Sequence, residues 1–172
     1  THEYAAITTE MRAVSNDLGV DFLRETDYET LLKNIPALRQ KHGDRAVLRA
    51  LHFIGDNDRV GKEVAALENN DFDTFRKLII ESGHSSFEYL QNIYAGDNVR
   101  QQDISLALAL AQRVLTDKGA WRVHGGGFGG TTQNFVPLDL VEEFKNTMES
   151  VFGENSCHTL FIRPCGGVCI TK

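Results

Sequence analysis

The order of the secondary-structure elements that this sequence predicts indicates an α+β fold. Apolar residues recur at helical spacing through most of the first 115 residues, which predicts a series of amphipathic helices. A short extended run, 120–123, and a run rich in β-branched and aromatic residues, 131–136, flank a glycine-rich loop and predict a hairpin. A helix and further strands follow. We therefore expect an antiparallel sheet of three to four strands covered by helices, a ferredoxin-like plait with a preceding helical hairpin.

Length and composition are those of one globular domain. With 172 residues, 41% hydrophobic and 24% charged, the chain can form a core without disulfides, so we expect residues 1–172 to be a single domain. No apolar run approaches the roughly 20 residues that cross a bilayer, and a net charge of −6 disfavours nucleic acid as a partner. Because the first residues show neither an initiator Met nor a secretory signal, we expect the chain to begin inside a longer cytoplasmic protein.

The first predicted helices are defined by apolar stripes and capping residues. Gly19 is placed to end the first helix. Thr26 and Glu29 fit a capping box that begins a short second helix, and Pro36 restarts that helix as a first-turn residue before a stop near Gly43. The stripe of the first helix consists of Tyr4, Ile7, Met11, Val14 and Leu18.

A helical hairpin is predicted next. Asp44 is the expected N-cap of a long helix that runs to near Asn69, with Gly55 and Gly61 as weak points in its interior. Asp71 is positioned to cap the following helix. The apolar stripes of the two helices contain Val47, Leu48, Leu51, Ile54, Val64 and Leu67 in the first and Phe72, Phe75, Leu78 and Ile79 in the second.

Two features of this region invite a catalytic interpretation. His52 and Asp56 are four residues apart and could pair, which would matter for catalysis if they faced a cleft, but we favour an ion pair with a structural role. Glu81, His84 and Ser85 combine the residue types of a hydrolase. Since adjacent helical residues point about 100° apart and no G-x-S-x-G turn is present, we reject that activity.

The rest of the chain alternates helices with the predicted strands. We expect a helix break at Gly83, a loop at 96–98 and a helix from about Asp103 that ends before Gly119 and is apolar nearly all round, hence buried between layers. Pro137 ends the second strand.

The C-terminal part is predicted to add one helix and two strands. Asp139 is the expected N-cap of a helix that Gly153 closes. Residues 159–163 have the composition of a third strand, and residues 168–170 that of a fourth.

The cysteines, Cys157, Cys165 and Cys169, are too few for a disulfide framework, so we expect free thiols in a reducing cytoplasm. A metal site built from Cys165, Cys169 and His158 is not expected, because the spacing matches no C-x-x-C pair and two glycines separate the two cysteines.

Five of the seven residues 124–130 are glycine. A Rossmann fingerprint would require a helix after the loop, where a strand is predicted, and no Gly-Lys-Ser/Thr closes a Walker A loop. The other motifs of protein kinases are missing from the residues that follow. A mobile hairpin without a binding role remains as an alternative to a functional loop formed by Gly125, Gly126, Gly127, Phe128, Gly129 and Gly130.

Residues 122–131, Arg-Val-His-Gly-Gly-Gly-Phe-Gly-Gly-Thr, resemble the third signature motif of galactokinases, R-M-x-G-G-G-F-G-G-C/T, within the GHMP superfamily of small-molecule kinases. Residues 81–86, Glu-Ser-Gly-His-Ser-Ser, and the region 35–67 are also similar to the C-terminal half of that family. The resemblance covers essentially the whole chain. It departs at 96–102, where the family's Cys-Pro-Glu-Leu-Asp-like stretch is absent, and this leaves the exact sugar open.

The resemblance implies the C-terminal domain of an ATP-dependent kinase that phosphorylates the anomeric hydroxyl of galactose. In such kinases the N-terminal half holds the phosphate-binding loop, the catalytic carboxylate and most sugar contacts. ATP and Mg²⁺ would serve the full-length protein, whereas this fragment alone would bind neither cofactor, and it offers no assignable catalytic residue or metal ligand. The loop of residues 125–130 would support the phosphate loop and close over substrate.

It follows that galactose and ATP would be bound through the missing half, and that the isolated fragment would be inactive and could self-associate through an exposed surface. Other hypotheses stay open. One is a catalytically silent sensor of sugar and ATP, one is a kinase for a related sugar such as N-acetylgalactosamine, and one is an interaction domain with a purely structural hairpin.

Overall fold

A computed structural model of the chain describes residues 2–169, and its fold is α+β. This part of the chain contains six α-helices and a two-stranded antiparallel sheet. The helices are α1 His2–Asp17, α2 Tyr28–His42, α3 Asp44–Glu68, α4 Phe72–Ser85, α5 Asp103–Leu115 and α6 Val141–Phe152, and the strands are β1 Ala120–His124 and β2 Thr131–Phe135. A π-helical turn, Ser86–Leu90, directly follows α4. Within residues 2–169 no helix is both long and apolar enough to cross a membrane.

The first apolar core lies where α1, α2 and α3 pack together. The predicted end of α1 is confirmed, since Gly19 adopts a φ of 75° two residues after the helix. Burial of these side chains from water provides the main free energy that holds the three helices together. The core contains Val14, Leu23, Leu31, Leu38, Ala46, Val47, Ala50 and Ile54.

The start of α2 differs from the prediction. Asp27, and not Thr26, is the N-cap, and its carboxylate accepts a hydrogen bond from the Thr30 amide at 2.7 Å. The helix then continues through Pro36 instead of restarting there. Because Leu31 and Leu38 are buried in the first core on either side of the proline, packing offsets the roughly 3 kcal/mol that an interior proline costs.

Two other predicted caps are wrong and one is confirmed. Gly43 occupies the N-cap of α3, so Asp44 is its first helical residue. A 3-10 turn, Leu138–Leu140, precedes α6, and Asp139 therefore lies in that turn and does not cap the helix. Asp71 caps α4 as predicted and accepts from the Thr74 amide at 3.0 Å.

The second apolar core lies between α5, α6 and β1. Helix α5 has the predicted position but buries one face, since Leu106 is 49% exposed, so the expectation that it is apolar and buried nearly all round is wrong. Burial of the opposite face fixes α5 against the hairpin that carries the glycine loop. The core contains Ile93, Ile104, Leu108, Ala111, Leu115, Trp121, Val123, Leu140, Phe144 and Met148.

Gly83 is a point of close contact and not the predicted helix break. Helix α4 continues past it to Ser85. A Cβ atom at Gly83 would lie 2.9 Å from the carbonyl oxygen of Trp121 and 3.1 Å from Cβ of Arg122. The missing side chain therefore lets the backbone of α4 pack directly on β1.

The predicted hairpin is confirmed, but the predicted plait of three to four strands is not. β1 and β2 pair antiparallel from Ala120 opposite Phe135 to His124 opposite Thr131. Residues 159–163 form no strand, and Leu160, Phe161 and Ile162 are 86–90% exposed. Their composition favours extended structure, but a strand also needs a neighbouring edge, and within the described residues none pairs with them. Val168 and Cys169 are not in a strand, and Ile170 lies outside the described residues.

The contact at Gly83 predicts opposite effects for two Gly→Ala substitutions in helices. Gly83→Ala should lower the free energy of unfolding by roughly 1–3 kcal/mol, because the new methyl group overlaps β1. Gly61→Ala in α3 should raise it by roughly 0.5–1 kcal/mol, because a Cβ there meets no atom within 4 Å and alanine favours the helix. Urea unfolding of the chain measures both, and equal effects would contradict the close contact of α4 with β1.

Candidate functional site

The glycine loop, residues 125–130, joins β1 to β2 and is closed by the pair of His124 and Thr131. Gly125, Gly127 and Gly129 have φ values of 63°, 76° and 144°, which only glycine adopts readily. Phe128 has a φ of 61°, unusual for a residue with a bulky side chain. A backbone of this kind persists only where surrounding contacts hold it.

Two contacts hold the loop from outside the hairpin. A Cβ atom at Gly126 would overlap the ring of Tyr4 on α1, and one at Gly127 would overlap the carbonyl oxygen of Asn92. The same Asn92 oxygen accepts a hydrogen bond of 2.8 Å from the backbone N–H of Phe128. Close approach to the backbone of Asn92 therefore requires glycine at 127, whereas the ring of Tyr4, which is 57% exposed, could turn away from a side chain at 126.

Asn92 follows the π-helical turn Ser86–Leu90 through Gln91, which has a left-handed φ of 57°. Its side chain is 1% exposed, and neither polar atom of its amide has a hydrogen-bond partner within the described residues. Turns with π-helical geometry often accompany functional sites. Here the turn sets the direction in which the Asn92 carbonyl faces the loop.

Arg49 of α3 connects the π-helical turn to α1. Its guanidinium is 1% exposed and donates through Nε to the carbonyl oxygen of Leu90 at 3.2 Å and through Nη1 to Glu10 at 2.8 Å. Glu3 lies 3.8 Å from Nη2. Burial lowers the pKa of Arg49, but an arginine keeps its charge in proteins. One buried cation thus bonds to the two segments that carry Tyr4 and Asn92.

A second arginine shares the same carboxylates nearer the surface. Arg45 donates to Glu3 at 3.2 Å and through Nε to Glu10 at 3.0 Å, and its side chain is 44% exposed. The hydrogen bond from Arg45 to Glu10 raises the pKa of Arg45. Because the two carboxylates face two arginines, neither acid depends on one cation alone.

A shallow cleft of about 160 Å³ lies beside the loop. Phe128 and Gly129 form one wall, and Tyr94, Asn98 and Gln101 contribute to the other. Sites that enclose a small-molecule ligand usually measure about 300–1,000 Å³. The cleft is therefore too small to enclose a sugar together with a nucleotide.

The predicted His52–Asp56 pair lies in a buried polar cluster between α3 and α4. His52 Nδ1 is 2.9 Å from the hydroxyl oxygen of Ser85, and Nε2 is 3.9 Å from Asp56. Asp56 also accepts hydrogen bonds from Arg59 and, at 2.7 Å, from Ser82. The order Asp, His, Ser resembles a catalytic triad, but His52 is 7% exposed and Ser85 6% exposed, so no substrate reaches the hydroxyl.

Burial controls the titration of this cluster. Desolvation lowers the pKa of His52, the charge of Asp56 opposes that shift, and Arg59 and Arg122 reinforce it. The neutral imidazole is therefore the stable form in the folded chain. Burial also raises the pKa of the nearby Glu63.

The structure gives no indication of a metal centre within residues 2–169, where no group of three or more His, Cys, Asp or Glu side chains could hold an ion. Cys157 and Cys165 are free thiols. Burial raises the pKa of the Cys157 thiol, and the charge of Glu149 adds to this effect. Cys157 is consequently a poor nucleophile at neutral pH.

The loop residues predicted from the sequence, 125–130, lie together in one turn, but their supports were missed. The sequence pattern places Tyr4 in an apolar stripe and does not distinguish Arg49 or Asn92 from other polar residues. Glu3 and Glu10, two helical turns apart, share one face of α1 and face an arginine pair with i, i+4 spacing on α3. This charge pattern in the sequence indicates ion pairs between α1 and α3, but it does not indicate that Arg49 also bonds to the Leu90 carbonyl.

No protein-family model matches the chain, but curated relatives do. The galactokinase of Clostridium acetobutylicum is 33% identical over 152 residues, which are 88% of this chain and 36% of that protein. The galactokinases of Glaesserella parasuis and Haemophilus influenzae are each 30% identical over 145 residues, which are 84% of this chain. The chain spans 36% of the length of each of these relatives.

The buried imidazole of His52 predicts a loss of stability in mild acid. The unfolded chain takes up a proton at His52 near pH 6.5, whereas in the folded chain burial lowers the pKa of His52. The contribution of His52 to the free energy of unfolding is therefore complete above pH 6.5 and is lost as the pH falls through the lowered pKa. Hydrogen bonds to the carboxylates of Asp17, Asp27 and Asp71 lower their pKa values, so these groups add to acid unfolding only at lower pH.

Urea unfolding as a function of pH tests this assignment. His52→Gln should flatten the decline in the free energy of unfolding between about pH 5 and 7. A variant that keeps the slope of the unchanged chain would show that another group is responsible.

Proposed function

This chain belongs to the galactokinase family, and we propose that it is the C-terminal part of a protein that transfers phosphate from ATP to the anomeric hydroxyl of galactose. The main support for the proposal is the close-packed glycine loop. Its sequence resembles a galactokinase motif, and Tyr4 and Asn92 contact its backbone. The similarity over most of the chain to proteins named galactokinase supports it.

In this proposal the glycine loop supports the phosphate-binding loop of the upstream part and closes over the substrate. Residues 125–127 and 129–130 have no side chains, so another backbone can approach them closely. Phosphoryl transfer depends on positioning and electrostatic stabilisation, and both require a loop of fixed shape. The contact of Gly127 with the Asn92 backbone and the hydrogen bond from the Phe128 amide to the Asn92 carbonyl support such a shape.

The remaining parts of the site belong to residues outside this chain. ATP and Mg²⁺ would serve the whole protein, where the cation would neutralise charge on the transferred phosphate. The cleft of about 160 Å³ is small for these ligands, and residues 2–169 offer no cluster of three metal-binding side chains. We therefore expect the fragment alone to bind neither cofactor and to transfer no phosphate.

An exposed apolar surface supports the proposal that more of the protein packs on this chain. On the C-terminal half of α3, Val60, Val64 and Leu67 are 44–55% exposed, and Phe72 at the start of α4 is 61% exposed. Exposed contiguous apolar patches mark interaction sites or promote aggregation. The isolated fragment is accordingly expected to self-associate. Since the proposed reaction uses ATP, we expect the whole protein to act in the cytoplasm.

The role of the loop predicts a selective loss of activity for Gly127→Val in the intact protein. A Val side chain would overlap the Asn92 carbonyl and disfavours the φ of 76°, so turnover of galactose should fall by roughly 100-fold or more. Gly61→Val is the control, because that position has open space around it. Steady-state kinetics with ATP and Mg²⁺ provide the measurement, and equal activities of the two variants would exclude the loop from the site.

The division of the site between two parts predicts that the 172-residue chain alone has no activity. The chain should show one cooperative unfolding transition and no galactose phosphorylation, whereas the intact protein phosphorylates galactose. N-acetylgalactosamine is assayed in parallel to identify the sugar. Turnover by the fragment would overturn the division, and an intact protein that binds both substrates without turnover would favour a sensor.

A further inference from the structure

We propose that Arg49 is a positioning residue for phosphoryl transfer, because its buried guanidinium holds both segments against which the glycine loop packs. The proposal rests on the proposed function, in which that loop lies at the active site. Arg49 itself lies on α3, outside the loop and its immediate supports.

The contacts of Arg49 form a fork that bonds to two separate segments. Nε donates to the Leu90 carbonyl at the end of the π-helical turn, and Nη1 donates to Glu10 on α1. A planar guanidinium can satisfy both acceptors at once, whereas a lysine ammonium is a single compact charge. The side chain is 1% exposed, so these contacts are shielded from water.

Each segment held by Arg49 leads within a few residues to the loop. Asn92, two residues after Leu90, accepts the hydrogen bond from the Phe128 amide and packs against Gly127. Tyr4, on the helix that carries Glu10, packs against Gly126. A shift of either segment therefore moves a support of the loop.

Stability alone does not account for an arginine at this position. A buried ion pair can often be replaced by apolar residues with no loss of stability, since desolvation offsets much of the Coulomb attraction. The guanidinium fixes the distance between the Leu90 carbonyl and α1, which apolar packing does not do. That distance determines how far apart Tyr4 and Asn92 lie.

Arg45 provides a matched control within the same cluster. It contacts Glu3 and Glu10 as Arg49 does, but the described contacts of its side chain do not include Leu90, and it is 44% exposed. The Arg45→Lys and Arg49→Lys substitutions change the same chemical group beside the same carboxylates. They differ in the bond to the π-helical turn and in burial, so amide exchange in α2 is followed as well to detect a general loss of stability.

The test measures galactose phosphorylation by the intact protein and its two lysine variants. Arg49→Lys should lower kcat by roughly 10- to 100-fold, because a displaced loop misplaces the reacting groups. Its KM for galactose should change by less than about threefold, since the sugar contacts lie elsewhere. Arg45→Lys should stay within about twofold of the unchanged protein in both constants.

Hydrogen exchange of the Phe128 amide gives a readout that does not depend on activity. Its exchange should accelerate by about tenfold in Arg49→Lys, while amides of α2 and the Arg45→Lys variant keep their original rates. Uniform acceleration throughout the chain would overturn the proposal, because it would indicate general destabilisation. Equal behaviour of the two lysine variants would overturn it as well.

Two further outcomes are distinguishable. If the unchanged intact protein does not phosphorylate galactose, the proposed function is wrong, and the exchange comparison still tests whether Arg49 holds the loop. If Arg49→Lys does not fold, Arg49→Gln replaces it, since Arg45 still compensates Glu10. Failure of both variants to fold would overturn the proposal, because Arg49 would then be needed for the fold itself.

Discussion

The buried guanidinium of Arg49 joins α1 and α3 to the end of the π-helical turn, and the geometry of the glycine loop depends on that junction. Moving one charged group out of water costs several kcal/mol, which the hydrogen bonds to Glu10 and Leu90 must offset. The loop has its own cost, because five glycines lose more conformational freedom than other residues when their backbone is fixed. Contacts with Tyr4 and Asn92 offset part of this entropic cost, and Arg49 keeps both contacts in place.

Helix α3 is the element on which these interactions converge. Its first half contributes Ala46, Val47, Ala50 and Ile54 to the first core, and it carries Arg49 on a neighbouring face. His52 and Asp56 extend the polar contacts toward α4, which packs on β1 through Gly83. The two apolar cores are thus linked through α3 and α4 by a layer of buried polar groups, and the loop lies at the end of the strands that this layer supports.

Periodicity in the sequence was sufficient to predict most of the helices, because the apolar stripes are local and regular, and the composition of residues 120–136 predicted the hairpin. Prediction from the sequence pattern was wrong where tertiary contacts determine the local structure. Pro36 stays inside α2 because Leu31 and Leu38 are both buried, and residues 159–163 form no strand because a strand requires a partner edge. The pattern of glycines likewise identified the loop, since few other residues adopt its backbone angles. Its supports were not predictable, because Arg49 and Leu90 are 41 residues apart in sequence and Asn92 acts through its backbone.

In the proposed function the glycine loop lies at the phosphoryl-transfer site of a galactokinase, and this chain contributes the C-terminal part. A crystal structure of the intact protein with galactose and a non-hydrolysable ATP analogue tests it most directly. We expect atoms of residues 125–130 to lie within about 4 Å of the nucleotide, the sugar or the segment that binds the phosphates. A loop that faces solvent, away from both ligands and from that segment, would exclude it from the site.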